Sequence, residues 1–358
     1  MKTKFSRSQK GFTLMEALLA MGLGLAMIGA AVQLFSKSLD ATYLVSQRAE
    51  MQQDVRAAEN ILVKDIGLAG TGLPPGGVAL AKGGAKNPIY GCDQAKCYLG
   101  GSPATGVAFP GTSTPYMYWL IPGAGLGPVV NPGQGATDTI TVVQGDTAFP
   151  WADYVMTVNS AGTQGTVTLV ASPPSPVQLL SDPAYGLKTG DLVLATGKSG
   201  GNTISAVGEI TADVTGTGAP YTVKFASPDA LGFNQSAATA SSFQQMKSLT
   251  GVTLTRIWLI TYYLSTATGT PTLMRQVNGQ TPAPVAENVV YLQFDYDTYD
   301  DNGVLYHTTN PPSLNQIRKV NLLHMTARSA LNGTKGYQTM DVQTSVSARN
   351  MSFKNRYQ

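Results

Sequence analysis

Charged side chains, histidine and cysteine are scarce in this chain. Only 13% of the 358 residues are Asp, Glu, Lys or Arg, and the chain has two histidines and two cysteines. A structural zinc site needs four close ligands, but His307 and His324 lie more than 200 residues beyond Cys92 and Cys97, which argues against zinc. Neither histidine lies beside an acid or nucleophile motif, so solvated or packed histidines and a chain that is not an enzyme are predicted.

A positively charged field is also missing once the N-terminus is set aside. The formal net charge is +3, but four of the 24 basic side chains lie within residues 1–11: Lys2, Lys4, Arg7 and Lys10. Without them, 20 basic side chains face 21 acidic ones. A large basic surface is typical of proteins that bind nucleic acids, so no nucleic-acid partner is expected.

Proline is absent between Phe12 and Pro74, and the first part of this stretch is strongly apolar. Residues 12–35 contain one charged side chain, Glu16, and the next charge is Lys37. At about 1.5 Å rise per residue, a helix over this run is roughly 36 Å long, which exceeds the ~30 Å hydrocarbon core of a bilayer. A transmembrane helix over residues 12–35 is therefore predicted.

The basic N-terminus and the apolar run meet at Gly-Phe-Thr-Leu-Met-Glu, residues 11–16. An ordinary secretory signal is cut after its apolar segment, whereas the recognisable junction here lies before it. Glu16 is costly in a membrane, by about 2.5 to 3.5 kcal/mol for a charged side chain. Pairing with a positive group of a neighbouring subunit would offset this cost, and hydration of Glu16 at the membrane interface is the alternative.

This junction resembles the class III leader of type IV prepilins and pseudopilins. The resemblance implies that residues 1–11 are a leader peptide, that a prepilin peptidase cleaves between Gly11 and Phe12, and that the new amino group of Phe12 is N-methylated. It also aligns Glu16 with the glutamate that the family has at the fifth mature position and uses in assembly.

The helix is predicted to continue past the apolar run. Apolar residues recur with helical spacing at Leu44, Met51, Val55, Ala58, Leu62 and Ile66, and charged residues occupy the other face. Glycines and Pro74-Pro75 follow, which are helix-terminating residues. Residues 36–72 are therefore assigned to an amphipathic helix that packs on a soluble, periplasmic domain.

The remaining chain is rich in Gly, Pro, Ser and Thr and predicts loops and strands. Residues 73–136 are assigned to a loop region, in which Cys92 and Cys97 are expected to form a disulfide in an oxidising compartment. Residues 137–250 are assigned to a β-rich region with its clearest strands at 139–143, 166–170, 191–195 and 221–225, and Gly197-Lys198-Ser199 to a hairpin turn. Residues 251–358 are assigned to an antiparallel sheet of four or five strands in one meander.

The C-terminal part resembles PilW-family minor pilins, on residues 258–264, 273–275, 287–294, 317–329 and 347–356. The implied fold is α+β and type IV pilin-like, with a long N-terminal helix packed on an antiparallel sheet. The implied function is priming of type IV pilus assembly at or near the tip, with other minor pilins, the major pilin and a tip adhesin as partners. The implied location is the inner membrane and then the filament at the cell surface.

Two other classes remain open. A J-like pseudopilin of type II secretion shares the plan but is usually shorter. A soluble periplasmic binding protein would require cleavage after Gly29-Ala30-Ala31, and this leaves the junction at residues 11–16 unexplained.

An acidic segment closed by Gly303 is a candidate calcium site. Oxygen-bearing side chains in close succession suit calcium, and the segment contains Asp295, Asp297, Asp300, Asp301 and Asn302. An EF-hand-type frame ending at Gly303 would place Thr298 at the first ligand position. The alternative is an acidic, solvated hairpin without a metal.

Overall fold

The computed structural model describes residues 11–83, 86–173, 176–236, 239–300, 302–329, 336–348 and 350–351. The chain divides into two compact units, residues 1–52 and residues 53–358. Helix α1, Leu14–Gly67, begins in the first unit and ends in the second, and antiparallel sheets follow it. The expected α+β class is confirmed.

In the first unit, α1 presents its large apolar side chains to the outside. Phe12 is 87% exposed, Leu25 is 71% exposed and Phe35 is 67% exposed. The helix continues through Gly22, Gly24 and Gly29 without a break. It is long and apolar enough to cross a membrane, and none of its most apolar stretch is buried within the protein.

In the second unit, α1 buries one narrow stripe. Val55, Ala58, Leu62 and Ile66 are at most 1% exposed, and their spacing of three, four and four residues places them on one helix face. The sequence predicted this stripe. Most charged residues of the same segment lie on the other face, which explains why only a stripe is covered, and Asp65 is the buried exception.

The helix ends at Gly67, five residues before the predicted end at residue 72. Gly70 has a φ of +76°, and a right-handed helix cannot continue through a residue with this conformation. The Gly70 N–H donates to the Val143 carbonyl at 2.8 Å, and the Gly145 N–H donates to the Thr71 carbonyl at 2.8 Å. Bonds to a strand therefore replace the next helical turn.

Eighteen strands follow within the described residues. They are β1 Val78–Ala79, β2 Ile89–Tyr90, β3 Val107–Ala108, β4 Tyr116–Met117, β5 Leu120–Gly123, β6 Thr139–Gly145, β7 Tyr154–Val158, β8 Gln164–Leu169, β9 Leu192–Ser199, β10 Asn202–Glu209, β11 Tyr221–Lys224, β12 Thr253–Ser265, β13 Thr272–Val277, β14 Ala283–Glu287, β15 Val289–Tyr299, β16 Leu305–Thr308, β17 Ile317–Arg328 and β18 Thr339–Ser347. Short 3-10 helices occupy Trp151–Asp153, Phe243–Met246 and Leu314–Gln316.

Strand β12 organises a seven-stranded antiparallel sheet. Its first part pairs with β9, its middle with β6 and its last part with β13, while β10, β14 and β5 pair with β9, β13 and β6. The strand is rich in Ile, Leu, Thr and aromatic residues, which favour extended structure. A hairpin joins β9 and β10, but the turn predicted at Gly197-Lys198-Ser199 is misplaced: these residues pair within β9, and the turn lies at Gly200 and Gly201.

A three-stranded sheet of β7, β8 and β11 covers part of the seven-stranded sheet. Met156, Val167 and Tyr221 of the smaller sheet share one buried cluster with Ala195 and Leu254 of the larger one. The rings of Phe225 and Phe243 stack in the same cluster, with centroids 4.1 Å apart. Each buried side chain of this size contributes about 1.5 to 3 kcal/mol, so this cluster is a main core of the second unit.

The single meander predicted for residues 251–358 is wrong in its connectivity. Strands are present at the predicted positions, but β12, β13 and β14 belong to the seven-stranded sheet, whereas β15 to β18 form a separate sheet in the order β16-β15-β17-β18. Asn288, between β14 and β15, has a φ of 59°, which interrupts an extended chain. The pattern of each strand was readable, but its partners were not.

The end of α1 is tied to the seven-stranded sheet by a buried carboxylate. Tyr262 of β12 donates its hydroxyl to Asp65 Oδ2 at 2.6 Å, and Arg275 of β13 donates Nε–H to the same oxygen at 2.8 Å. Burial, reinforced by the Asp65 charge, raises the pKa of Tyr262 well above its usual range, so its hydroxyl stays a donor. On the side of the four-stranded sheet, a Cβ added to Gly67 would lie 3.8 Å from Val346 Cγ1 of β18.

Replacement of Asp65 by Ala is expected to destabilise the second unit by about 2 to 3 kcal/mol, because a tyrosine hydroxyl and a partly buried guanidinium lose their partner. Urea unfolding of the full chain in detergent, followed by circular dichroism, measures this change. Asp54→Ala, at an exposed position of the same helix, is the matched control and should change stability by less than about 0.5 kcal/mol. Equal effects of the two substitutions would contradict the role of Asp65.

Candidate functional site

The junction predicted to be cleaved lies in an accessible segment before the helix. Gly11, Phe12 and Thr13 have no regular secondary structure, and α1 begins at Leu14. All three residues are exposed, and among the described residues nothing lies within 4 Å of a Cβ added to Gly11. The rest of the predicted leader, residues 1–10, lies outside the described residues. The bond between Gly11 and Phe12 is therefore not covered by the described residues.

Thr13 and Glu16 form a reciprocal cap at the start of the helix. The Thr13 N–H donates to Glu16 Oε2 at 3.0 Å, and the Thr13 hydroxyl donates to the same oxygen at 2.9 Å. The Glu16 N–H lies 3.3 Å from Thr13 Oγ1 and donates to it. This arrangement is a capping box, which satisfies N–H groups that have no partner within a helix. Glu16 thus has a function within its own chain as well as the predicted one between subunits.

The cap leaves half of the Glu16 carboxylate available. Both hydrogen bonds that the side chain accepts end on Oε2, and Oε1 accepts none within the described part of the chain. A carboxylate can accept several donors at once. The same side chain can therefore cap its own helix and accept an ammonium group from another chain. The Thr-x-x-Glu spacing was readable in the sequence, but sequence reasoning considered only the charge.

The predicted disulfide is confirmed. Cys92 and Cys97 are bonded and close a loop that Asp93 organises. Asp93 Oδ1 accepts the N–H groups of Ala95 at 2.8 Å and Lys96 at 2.7 Å, and Tyr98 donates its hydroxyl to Oδ2. Burial would raise the pKa of Asp93, but these hydrogen bonds outweigh it and lower the pKa. The loop is rigid because the disulfide and the hydrogen bonds of Asp93 close the same short segment.

A buried pair of carboxyl groups connects this loop to the β-rich region. Glu209, at the end of β10, accepts Nε2–H of Gln94 at Oε1 and the Leu231 N–H at Oε2, the latter at 2.8 Å. Asp229 is 9% exposed, accepts the N–H groups of Phe233 and Asn234, and lies within hydrogen-bond range of Glu209. Burial, with a further contribution from the Asp229 hydrogen bond, raises the pKa of Glu209 to about 8. The folded chain therefore favours the protonated, uncharged form of Glu209 at neutral pH.

The residues of the candidate calcium segment are divided between a strand and a turn. Asn321 Nδ2 of β17 donates to Asp295 at 2.7 Å and to Asp297 at 2.8 Å, both on β15. Asp300 instead shapes the turn, because its Oδ1 accepts the N–H groups of Asn302 at 2.9 Å and Val304 at 2.8 Å. Asp301 lies outside the described residues.

Within the described parts of the chain, no group of three or more His, Cys, Asp or Glu side chains is arranged to hold a metal ion. Calcium at this segment stays a prediction.

The two histidines lie in the same four-stranded sheet. His307 Nδ1 is 2.7 Å from Asp297 Oδ1, an acid that sequence reasoning did not connect with it because the two residues meet only across β15 and β16. The side chain of His307 is 63% exposed, which is typical of a surface pair. His324 Nδ1 on β17 lies 3.4 Å from Gln343 Nε2 on β18.

Comparison of the chain with protein-family models, with curated proteins and with solved structures gives no significant match. The function is therefore inferred from the residues of this chain alone.

Thr13→Val is expected to loosen the first turn of α1. The substitution removes two of the three hydrogen bonds of the cap and costs about 1 kcal/mol, which corresponds to roughly fivefold faster amide exchange at Met15 and Glu16. Hydrogen exchange of the full chain in detergent micelles measures this. Thr42→Val, which removes a hydroxyl bond to the Ser38 carbonyl within the helix, is the control and should leave the first turn unchanged. Unchanged exchange in Thr13→Val would contradict the cap.

The raised pKa of Glu209 predicts a loss of stability between about pH 4.5 and pH 8. The unfolded chain releases the Glu209 proton near the ordinary glutamate pKa of 4.5, whereas the folded chain keeps it to about pH 8. The folded state thus binds more protons in this interval, so stability falls as pH rises through it. Unfolding free energies of Glu209→Gln should lose this decline, which is on the order of 5 kcal/mol. The exposed substitution Glu287→Gln should keep it, and an identical pH profile for both variants would exclude the raised pKa of Glu209.

Proposed function

We propose that this chain is a non-catalytic minor pilin that primes type IV pilus assembly and sits at or near the pilus tip. One observation carries the proposal: an accessible Gly11-Phe12 junction stands two residues before a helix that is apolar from its start and whose single early charge, Glu16, is capped by Thr13. A membrane helix that begins immediately after a cleavage junction is an assembly element, because cleavage there retains the apolar segment.

Processing supplies the missing partner of Glu16. Cleavage between Gly11 and Phe12 by a prepilin peptidase leaves a new amino group on Phe12, which the same enzyme class methylates without removing its positive charge. Oε1 of Glu16, which the cap leaves without a partner in the described residues, accepts this group from a neighbouring subunit. Attraction between unit charges is many times stronger in a low-dielectric environment than in water, so the membrane segments associate in one register.

The rest of the first unit supports association in the membrane. Residues 12–35 hold the chain in the inner membrane until it enters the filament. In the absence of other chains, a Cβ placed on Gly22, Gly24 or Gly29 meets nothing within 4 Å among the described residues. Small residues on membrane helices allow close approach of other helices, here those of other minor pilins and the major pilin.

The size of the second unit suits the tip. Residues 53–358 contain the four-stranded sheet, the seven-stranded sheet and a further three-stranded sheet. A subunit with this much folded chain is most easily placed where neighbours occupy few sides, and the tip is such a position. A tip adhesin is the proposed partner there, and the periplasm is the proposed compartment before assembly, consistent with the Cys92–Cys97 disulfide.

A J-like pseudopilin of type II secretion is the alternative, since it uses the same junction and helix. Deletion of the gene separates the two, because a minor pilin deletion removes surface pili and a pseudopilin deletion blocks protein secretion. A soluble binding protein released after Ala31 is disfavoured, because α1 continues without interruption from Leu14 through Ala31 to Gly67.

Mass spectrometry of the intact N-terminus tests the proposal on protein from membranes and from sheared surface filaments. N-methylated Phe12 is expected in both fractions. Gly11→Val should abolish processing, because the peptidase needs the small residue at the junction, while Gly29→Ala should leave processing intact. A mature terminus at Val32, or absence of the processed chain from sheared filaments of a piliated strain, would overturn the assignment to the filament.

A further inference from the structure

An open cleft lies beside the end of α1, within the second unit. It has a volume of about 460 Å³ and lies between the last helical turn and strands β6, β12 and β13. Sites for small molecules usually measure about 300 to 1,000 Å³, so one sugar residue or a molecule of similar size can enter. The side chains that matter for recognition are Lys64, Gln144, Thr147, Trp258 and Arg275.

The acidic groups of the cleft are buried and already compensated. Asp65 and Asp146 are each 5% exposed. Asp65 accepts hydrogen bonds from Tyr262 and Arg275, and Asp146 Oδ2 lies 2.7 Å from a terminal nitrogen of Arg256. These carboxylates therefore fix the cleft's surroundings and repel an incoming anion only weakly.

The basic groups of the cleft keep free donors. Lys64 is exposed, and its ammonium group makes no hydrogen bond or ion pair with the described residues. The side chain of Arg275 is 30% exposed, and its hydrogen bonds and ion pair with the described residues, to Asp65 and Tyr262, all use Nε. Its planar fork is thus held in place while both terminal nitrogens remain available. Such a fork binds a carboxylate with two parallel hydrogen bonds.

The wall of the cleft carries a partly exposed indole with neutral polar groups. The Cζ atom of Arg256 lies 4.3 Å from the centroid of the Trp258 ring, and this contact fixes the orientation of the indole. The side chains of Gln144 and Thr147 form no hydrogen bond with the described residues and can donate and accept. An indole surface beside amide and hydroxyl groups suits the apolar face and hydroxyls of a sugar ring.

From this combination we propose that the cleft binds an acidic sugar, a hexuronic or sialic acid, whose carboxylate pairs with Arg275 and Lys64 while its ring lies against Trp258. A plain carboxylate would use only the basic groups, and a neutral sugar only the wall. An acidic sugar uses both sets. This binding does not depend on the role in pilus assembly, because it needs only the folded second unit.

Titration of the purified full chain in detergent micelles tests the proposal, with D-glucuronate and N-acetylneuraminate as probes and D-glucose as the neutral control. Calorimetry reports affinity, and tryptophan fluorescence reports contact with Trp258. At least one acidic sugar should bind saturably below about 10 mM and at least tenfold more tightly than glucose. Lys64→Gln, at an exposed position, should weaken acidic sugars about tenfold and leave glucose unchanged, since the ion pair alone is lost. Arg275→Lys should weaken them further, and Lys37→Gln, outside the cleft, is the matched control.

Absence of saturable binding of both acidic sugars would overturn the site. So would affinities of Lys64→Gln and Arg275→Lys for the acidic sugars that equal the affinity of the unaltered chain. N-acetylglutamate methylamide serves as a peptide-like carboxylate. If it binds as tightly as the acidic sugars and leaves tryptophan fluorescence unchanged, the cleft recognises carboxylates without a sugar ring, and the assignment to sugars is wrong.

Discussion

A carboxylate in a low-dielectric environment must have a compensating group, and at Asp65 this requirement joins the helix to the sheet. Asp65 lies beside the buried stripe of α1, and its oxygen accepts from Tyr262 and Arg275, which are 197 and 210 residues further along the chain. A buried pair of this kind contributes little net stability compared with apolar packing. Its effect is on specificity, because rotating the helix by one residue would move Asp65 away from both donors.

The same requirement is met differently at the other end of the helix. Glu16 stands in the most apolar part of the chain and obtains two donors from Thr13, three residues away. A local partner is available there because a helix start has unsatisfied N–H groups, whereas a position near the helix end has none. The donors that compensate Asp65 therefore depend on the tertiary fold, whereas the donors that Thr13 supplies to Glu16 do not.

Much of the fold was predictable from local pattern, and the parts that were not have one physical cause. The apolar run, the stripe through Val55 and Leu62 and the β-branched strands each have a period that the sequence shows directly. The pairing of β12 with β6, more than 100 residues earlier, leaves no local signal, because a strand's pattern records which face is buried and not which strand lies beside it. That is why one expected meander became two sheets.

Whether a candidate site could be predicted from the sequence likewise depended on whether its residues are close together in the chain. The disulfide and the Thr13–Glu16 cap each join residues within six positions of each other, so local spacing is enough to suggest them, whereas the junction at Gly11 was inferred from the resemblance of residues 11–16 to prepilin leaders. The contact of Gln94 with Glu209, and the cleft between Lys64 and Arg275, are formed by segments that are distant in sequence. Glu209 shows the consequence most clearly. Its sequence neighbours are ordinary strand residues, yet the fold places Asp229 beside it and raises its pKa to about 8.

Three buried acids in the second unit are compensated by two different means. At Asp65 and Asp146 the compensating group is an arginine on the seven-stranded sheet, whereas Glu209 is favoured in its protonated form by burial beside Asp229. An arginine stays charged throughout the physiological range, so the helix junction and the cleft keep their geometry as pH changes. Glu209 instead changes its charge near pH 8. The hydrogen bond that Gln94 donates to its Oε1 is favoured by the carboxylate, so the response to pH is a new buried charge beside Asp229 and not a loss of the contact with the disulfide loop.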